Sequence, residues 1–228
     1  MGTNPMNRHV DLSHVIENGM ITYKGFPAPL ICDYMSREES RKRYESGTEF
    51  QIGKIEMVAN TGTYIDSPFH RYENGDDIAD LRLKDLVGIE ALVFRSSETA
   101  IGPEIFNGID FRGKAVLVNT GWDKHWRTDA YFENHPHLTR DAALFLADGG
   151  ASIVGIDAFN IDSIATGARP VHTVLLGHGI PIIEHMCNLG ELPDANFVLT
   201  AAPVAVRGMG SFPVRAFATI YGSENATT

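Results

Sequence analysis

The chain has 228 residues, of which 43% are hydrophobic and 21% are charged, and its formal net charge is -10. This composition is typical of a globular protein that buries a core of ordinary size. The negative charge argues against a nucleic-acid partner, because most of the surface would repel a phosphate backbone.

The N-terminal third alternates between extended segments and loops. A strand is predicted at the start of residues 10–29, which then continue as a loop rich in Gly and Pro. The highly charged stretch 35–49 is either a surface helix or a mobile flap. In residues 50–66, the alternation from Ile52 to Val58 predicts one long strand or a hairpin.

The middle of the chain mixes buried strands with one clear helix. Strands are predicted at 115–118 and within 151–162, where apolar residues run without interruption. The helix in the segment LTRDAALFLADGG is N-capped by Thr139 and stopped by Gly149 and Gly150. These elements favour an α/β fold with a mixed sheet.

Two further predictions concern the segments around these strands. Residues 120–138 are predicted to form a long loop that is docked by the aromatic side chains Trp122, Trp126 and Tyr131. Asp157 follows a buried strand, where a carboxylate often caps a turn.

The C-terminal third contains short elements and closing strands. A short helix is predicted after residue 170, then a strand around 181–183 and a second helix from Glu184. Strands are predicted again within 196–208 and 213–221. No linker divides the sequence, so we predict a single domain over residues 1–228, with residues 1–8 as a loose tail.

The location of the chain in the cell is predicted from its start and its cysteines. No apolar segment of signal-peptide length opens the sequence, and no apolar run reaches roughly 18 residues. The two cysteines, Cys32 and Cys187, do not indicate a disulfide framework and fit a reducing compartment. We therefore predict a cytoplasmic protein.

The segment NTGTYIDSPFH, residues 60–70, concentrates polar groups that can do chemistry. Alternate side chains of a strand share one face. The residues predicted to share that face are Asn60, Gly62, Tyr64 and Asp66. His70 follows a turn at Pro68 and is a candidate general base, because its ordinary pKa lies near working pH. The alternative is a surface hairpin in which Asp66 bonds to local backbone groups and His70 is solvated.

This segment resembles the signature H-x-G-T-H-x-D-x-P-x-H of the metal-dependent cyclase and kynurenine formamidase-like hydrolases, a family that also includes isatin hydrolases. The matching positions are Gly62, Thr63, Asp66, Pro68 and His70. Asn60 and Tyr64 stand where the signature has histidines. The resemblance continues through DLSH, TGWDKHW, GIDAFNID, the pair His172 and Glu184, and PVRAFA, so it runs from about Val10 to Tyr221.

The resemblance implies an α/β fold of the swivelling β/β/α type, with a barrel-like mixed sheet and flanking helices. It implies a hydrolase that opens amide, lactam, imide or lactone bonds with metal-activated water. Asp66, His172 and Glu184 are the implied ligands of one divalent ion, zinc or manganese, and His70 is the implied base. Neither substituted position is a good ligand, because the Asn60 oxygen is neutral and Tyr64 must lose a proton of pKa about 10.

Further roles are predicted for residues around the site. Tyr64 is a candidate donor to a developing oxyanion. The candidate substrate contacts are Asn60, Trp126 and Phe26. Relatives of this kind imply a homodimer or homotetramer with pockets near subunit contacts.

Two other hypotheses remain open at this point because two signature ligands are missing. One is a metal-free cyclase, lyase or isomerase in which Tyr64, His70 and Asp66 move protons. The other is a non-catalytic relative that binds a small molecule. The metal content of the protein and the activity of a His70 variant distinguish these hypotheses.

Overall fold

The computed structural model describes residues 7–222, which form three α-helices and thirteen strands joined by short 3₁₀ helices and loops. The helices are α1 (Arg37–Arg43), α2 (Arg140–Gly149) and α3 (Pro170–Gly177). The strands are β1 (Arg8–Asp11), β2 (Leu30–Met35), β3 (Ile52–Glu56), β4 (Tyr64–Asp66), β5 (Ile89–Arg95), β6 (Ala100–Ile101), β7 (Ala115–Asn119), β8 (His137–Leu138), β9 (Ile153–Ile156), β10 (Ile182–Glu184), β11 (Phe197–Thr200), β12 (Ser211–Pro213) and β13 (Phe217–Ile220).

Nine of these strands form one curled sheet in the order β1-β13-β11-β5-β7-β9-β10-β4-β12. The central strands β5, β7, β9 and β10 run parallel, and the outer strands are antiparallel to their neighbours. The sheet is therefore mixed and shaped like a half barrel, which confirms the predicted α/β fold with flanking helices. Strands from both ends of the described chain lie in this sheet.

The core lies on both faces of the central strands. On one face, α2 and α3 pack through side chains such as Leu146 and Leu175 against Val154 of β9. On the other face, Leu117 of β7 packs with Ile183 of β10 in a second cluster. Because both faces of the sheet are covered here, the sequences of β7 and β9 are continuously apolar and do not alternate with polar residues.

Local sequence signals explain where the helices begin and end. Thr139 accepts a hydrogen bond from Ala142 N at 3.2 Å, and Gly150 ends α2 at φ 78°, as predicted. The charged stretch forms α1, since Ser36 and Glu39 make a reciprocal capping box at its start. The helix is thus the correct alternative for this stretch.

Two predicted elements are wrong. The long strand or hairpin predicted over 50–66 is two strands that do not pair with each other and lie in different sheets: β3 pairs with β2 in a separate ribbon, whereas β4 joins the main sheet. The chain turns between them, where Gly62 adopts φ +66°. No helix starts at Glu184, because this residue ends β10 between two neighbouring strands and His185 adopts φ +55°.

The remaining features agree with the sequence. Trp122 Nε1 donates to Tyr131 O at 3.0 Å, which docks the long loop on buried Tyr131. Asp157 accepts from the backbone N–H groups of Thr120 and Gly121 and so caps the turn after β7. Both cysteines are free. Within residues 7–222, no helix combines the length and the apolar character required to cross a membrane. Of the predicted tail, residues 1–6 lie outside the described residues, and β1 already begins at Arg8.

Candidate active site

The register of three neighbouring strands brings the acidic residues of the site together. In β4 and β10, Tyr64 lies opposite Glu184 and Asp66 lies opposite Ile182. On the other side of β4, Ser211 of β12 lies opposite Asp66. Directly paired residues project to the same face of a sheet. The side chains of Tyr64, Asp66, Glu184 and Ser211 therefore share one face.

His172 reaches this face from the first turn of α3. Asp162 fixes the turn, because its carboxylate accepts hydrogen bonds from Val171 N at 2.7 Å and His172 N at 3.0 Å. The same carboxylate binds His172 Nδ1 at 2.6 Å. The ring is buried, and its Nε2 is the atom left to face the sheet.

The groups predicted from the sequence to meet in one pocket do meet. His172 Nε2 lies 3.5 Å from Asp66 Oδ2 and 3.7 Å from Glu184 Oε1. His70 Nδ1 lies 3.6 Å from Asp66 Oδ1, and the His70 and His172 ring centroids are 5.7 Å apart. A cavity of about 220 Å³ is lined by His70, His172 and Glu184. The surface-hairpin alternative is thereby wrong, since Asp66 is fully buried.

Ser211 was not singled out from the sequence, yet it connects the two ends of the signature. Its hydroxyl donates to Asp66 Oδ1 and lies 2.9 Å from His70 Nδ1. Because the hydroxyl donates its one proton to the hydrogen bond with Asp66, it accepts a hydrogen bond from Nδ1–H of His70. His70 Nε2 then carries the free lone pair and is the atom that can accept a proton.

The backbone at this point is close-packed. A Cβ at Gly210 would lie 2.5 Å from His70 Cα and 2.6 Å from His70 N. Only glycine allows β12 to approach His70 so closely. Gly210 therefore helps to set the distance between Ser211 and His70.

Glu184 is held by hydroxyl and backbone donors. Tyr64 donates its hydroxyl proton to Glu184 Oε2, and Ile161 N donates to Oε1 at 2.6 Å. Tyr23 lies with its hydroxyl 2.7 Å from that of Tyr64 and in turn accepts from Asn160 Nδ2 at 3.3 Å. Burial and the Glu184 charge raise the pKa of Tyr64 well above its ordinary value, so the phenol stays protonated.

The electrostatics of the cluster are dominated by buried acids. Burial lowers the pKa of His172, but the charges of Glu184, Asp162 and Asp66 outweigh it and raise that pKa to about 10. Burial raises the pKa of Glu184, and the opposing effect of His172 is smaller. Three buried carboxylates thus surround one imidazole, and a single proton on that imidazole does not neutralise them.

These residues fit a divalent cation. Asp66 Oδ2 is buried and accepts no hydrogen bond from any described residue. It lies 3.5 Å from His172 Nε2, close to the ~3.3 Å that separates two ligands of a tetrahedral zinc. Asp66, His70 and His172 each offer a ligand atom within 4.8 Å of the others. The bond from Asp162 to His172 Nδ1 is the kind of support that orients a metal-binding imidazole.

The two substituted signature positions do not add ligands. Asn60 uses its amide nitrogen to donate to Ser211 Oγ at 3.3 Å. Tyr64 keeps its proton and donates a hydrogen bond to Glu184. The candidate metal ligands that remain are the carboxylates and imidazoles around Asp66.

Of the three predicted substrate contacts, two line the cavity and one does not. Asn60 and Phe26 line the cavity. Trp126 is not among the lining residues and instead stacks on His14, with the ring centroids 4.0 Å apart.

Asp162 and Tyr23 complete the site, and neither is among the site residues predicted above. The role of Asp162 depends on its contact with the side chain of His172 in α3, which the sequence does not show. Tyr23 lies 41 positions before Tyr64 in the chain. No local pattern connects them, because the loop that carries Tyr23 is brought to the site by tertiary packing alone.

Comparison with known proteins gives a consistent family. Residues 10–163 match the family model described as "Putative cyclase". The kynurenine formamidase of Bacillus cereus is 31% identical over 208 residues, which cover 91% of this chain and 95% of that protein. The kynurenine formamidase of Bacillus anthracis is 28% identical over 211 residues, or 92% of this chain and 96% of that protein.

Solved structures agree with the sequence matches. A structure described as a potential metal-dependent hydrolase with cyclase activity has a TM-score of 0.76 at 27% identity, covering 94% of this chain and 98% of that one. Isatin hydrolase A from Labrenzia aggregata, bound to benzyl benzoate, has a TM-score of 0.79 at 23% identity and shows the shared fold over 94% of each chain. Because the family model spans more than half of the sequence, the chain is an enzyme of the cyclase family, the family to which kynurenine formamidase belongs.

Proposed function

We propose that this enzyme hydrolyses an amide, lactam, imide or lactone bond of a small molecule. The single observation that carries the proposal is the buried cluster of Asp66, His172 and Glu184, with His70 at the edge of the cavity. Family membership supports an amide-bond hydrolase in particular, because the relatives named above are a formamidase and an isatin hydrolase.

Asp66 and His172 are the residues that would hold a divalent metal ion, with Glu184 as the third ligand. Such an ion supplies a Lewis acid and lowers the pKa of a bound water from about 15.7 to about 7. The set of two carboxylates and one imidazole suits zinc or manganese. His70 is the alternative third ligand, because it also lies within reach of Asp66 and His172.

The protein's own groups prepare the reaction. Ser211 holds His70 in the tautomer whose Nε2 accepts a proton, so His70 can act as the base toward water. Asp162 keeps His172 Nε2 directed at the acids. Tyr64 holds Glu184 in place through the hydrogen bond that its hydroxyl donates. Tyr64 can donate to an oxyanion only when that hydrogen bond to Glu184 is broken.

The experiment is a hydrolysis assay on purified, metal-replete protein with a panel of formanilides, lactams and lactones. We expect turnover of at least one amide or lactam that stops after chelation and returns with zinc or manganese. Turnover that is insensitive to chelation would favour the metal-free alternative, in which His70 and the acids move protons. Absence of turnover together with retained ligand binding would favour a non-catalytic relative.

The chain is proposed to act as one domain in a homodimer or homotetramer. The ribbon of β2 and β3 stands outside the main sheet and exposes apolar side chains, among them Leu30, Tyr34 and Ile55. An isolated two-stranded ribbon is only marginally stable, so a second copy is the proposed cover. Light scattering on the wild type and on Ile55→Glu tests this, because the variant is expected to shift toward monomer.

A cytoplasmic location is proposed on the state of the cysteines. Cys32 is exposed and free, and Cys187 is buried and free. Free thiols of this kind fit a reducing compartment. Fractionation of the native host cells tests the proposal.

A further inference from the structure

Two arginines line the cavity beside the acid and imidazole cluster. Arg71 directly follows His70, and Arg169 directly precedes α3, which carries His172. The two segments that deliver the imidazoles therefore deliver two guanidinium groups to the same opening. Nothing in the reaction proposed above uses them.

Neutral groups hold both arginines in place. Arg71 Nε donates to Thr173 Oγ1 at 3.2 Å, and that hydroxyl donates to the backbone oxygen of Arg169 at 2.6 Å. Thr173 therefore links the two residues. Arg169 Nη1 donates to the carbonyl oxygens of Ala168 and Thr166 at 3.0 and 3.2 Å.

Neither guanidinium is neutralised by an acid. Within residues 7–222, neither Arg71 nor Arg169 has a carboxylate within 4.0 Å, whereas Arg127 and Arg215 pair with Glu17 and Asp11. The Nη groups of Arg71, and Nε and Nη2 of Arg169, donate no hydrogen bond to any described residue. Both side chains thus keep unused charge and donors at the cavity.

The acids near the cavity make their hydrogen bonds with groups other than the two arginines. Asp162 is committed to His172 and to the start of α3, and Glu184 is committed to Tyr64 and Ile161. Asp66 faces His172 and accepts from Ser211. The arginines are therefore placed to bind a ligand that enters the cavity, and not to neutralise these acids.

We propose that the substrate is a small amide or lactam that carries a carboxylate, which Arg71 and Arg169 bind. Arginine is the residue best suited to a carboxylate, because its planar donors match the two oxygens. A protein of net charge -10 does not attract an anion by its overall field, so a local cationic pair is needed for this specificity. The cavity of about 220 Å³ restricts the substrate to a small molecule. The assignment of substrate class depends on the proposed hydrolase function, but the anion site can be tested without turnover.

The test measures the binding of benzoate and of the neutral, isosteric benzamide by calorimetry on the metal-loaded protein. We expect the wild type to bind benzoate more tightly, and Arg71→Gln or Arg169→Gln to reduce the ratio of the two affinities about 10-fold to 100-fold. Arg112→Gln is the charge-matched control, because Arg112 is exposed and lies outside the cavity. Its ratio is expected to equal that of the wild type.

The outcomes separate the anion site from the metal and from the hydrolase function. A benzoate preference that survives in both cavity variants would place the carboxylate on the metal ion or elsewhere and would overturn the proposal, as would equal affinities in the wild type. Arg169→Gln also removes the hydrogen bonds from Arg169 to the carbonyl oxygens of Thr166 and Ala168. If Arg169→Gln unfolds at a lower temperature than the wild type, Arg71→Gln decides the result. A retained preference for benzoate without hydrolysis of 2-formamidobenzoate or 2-formamidobenzamide would contradict the proposed reaction and support the anion site.

Discussion

Short polar side chains prepare the two imidazoles of the site. Ser211 donates a hydrogen bond to Asp66 and accepts one from His70 Nδ1–H, while Asp162 fixes the orientation of His172. Motif residues such as Asp66 and His70 were predictable, because a short segment carries them. Ser211 lies 141 positions from His70 and has no motif of its own, so only the register of β12 against β4 reveals it.

The role of His70 gives a prediction at this scale. His70→Ala removes the proposed base, so we expect kcat to fall about 10²-fold to 10⁴-fold while the metal content stays unchanged. Steady-state kinetics and elemental analysis of the same preparation measure both effects. His9→Ala, in exposed β1, is the control and should match the wild type. Loss of the metal together with the imidazole would identify His70 as a ligand instead of the base.

Strand edges and turns decide where the side chains of the site lie. The alternating pattern around Ile52 correctly predicts an extended segment. It does not show that β3 pairs with β2 in a separate ribbon, while β4 belongs to the main sheet. The apolar segment after Pro181 is compatible with strand or helix, and pairing of β10 with both β9 and β4 decides for the strand. Thr139 and Gly150 were predictable because capping chemistry is local.

The close approach of β12 to His70 gives a prediction for this pair of elements. Gly210→Ala places a methyl group against the His70 backbone, which must move. We expect the free energy of unfolding to fall by about 1–3 kcal/mol and kcat to fall on the order of 10-fold to 100-fold. Chemical denaturation and kinetics measure these changes. Gly190→Ala is the control, since a Cβ there meets only Asn119 at 3.9 Å. Wild-type behaviour of Gly210→Ala would show that β12 does not position His70.

At the scale of the whole molecule, histidines whose pKa is lowered by partial or full burial make stability depend on pH. Burial lowers the pKa of His14 to about 4, and burial also lowers the pKa of His185 and His135. Between pH 6.5 and 4 the unfolded chain binds more protons at His14 than the folded chain does. The stabilisation is therefore complete above pH 6.5 and is lost as the pH falls toward 4.

The corresponding prediction concerns the free energy of unfolding at two pH values. For His14 alone, lowering the pH from 7.5 to 5 is expected to cost about 1–2 kcal/mol. Urea unfolding at fixed protein concentration measures this cost for the wild type and for His14→Gln, which cannot titrate. The variant should lose less stability over the same interval. An equal loss in both proteins would mean that His14 does not remain neutral in the fold.

The proposed reaction depends most on a divalent ion held by Asp66 and His172 in the half barrel. Asp66→Asn keeps the shape of the side chain and removes its charge, so it is the sharpest probe of that claim. Elemental analysis after metal-replete purification and dialysis is the direct measurement. We predict about one zinc or manganese ion per wild-type chain and a much lower content in Asp66→Asn. A wild-type protein without bound metal, or an Asn variant that keeps the wild-type content, would contradict the account.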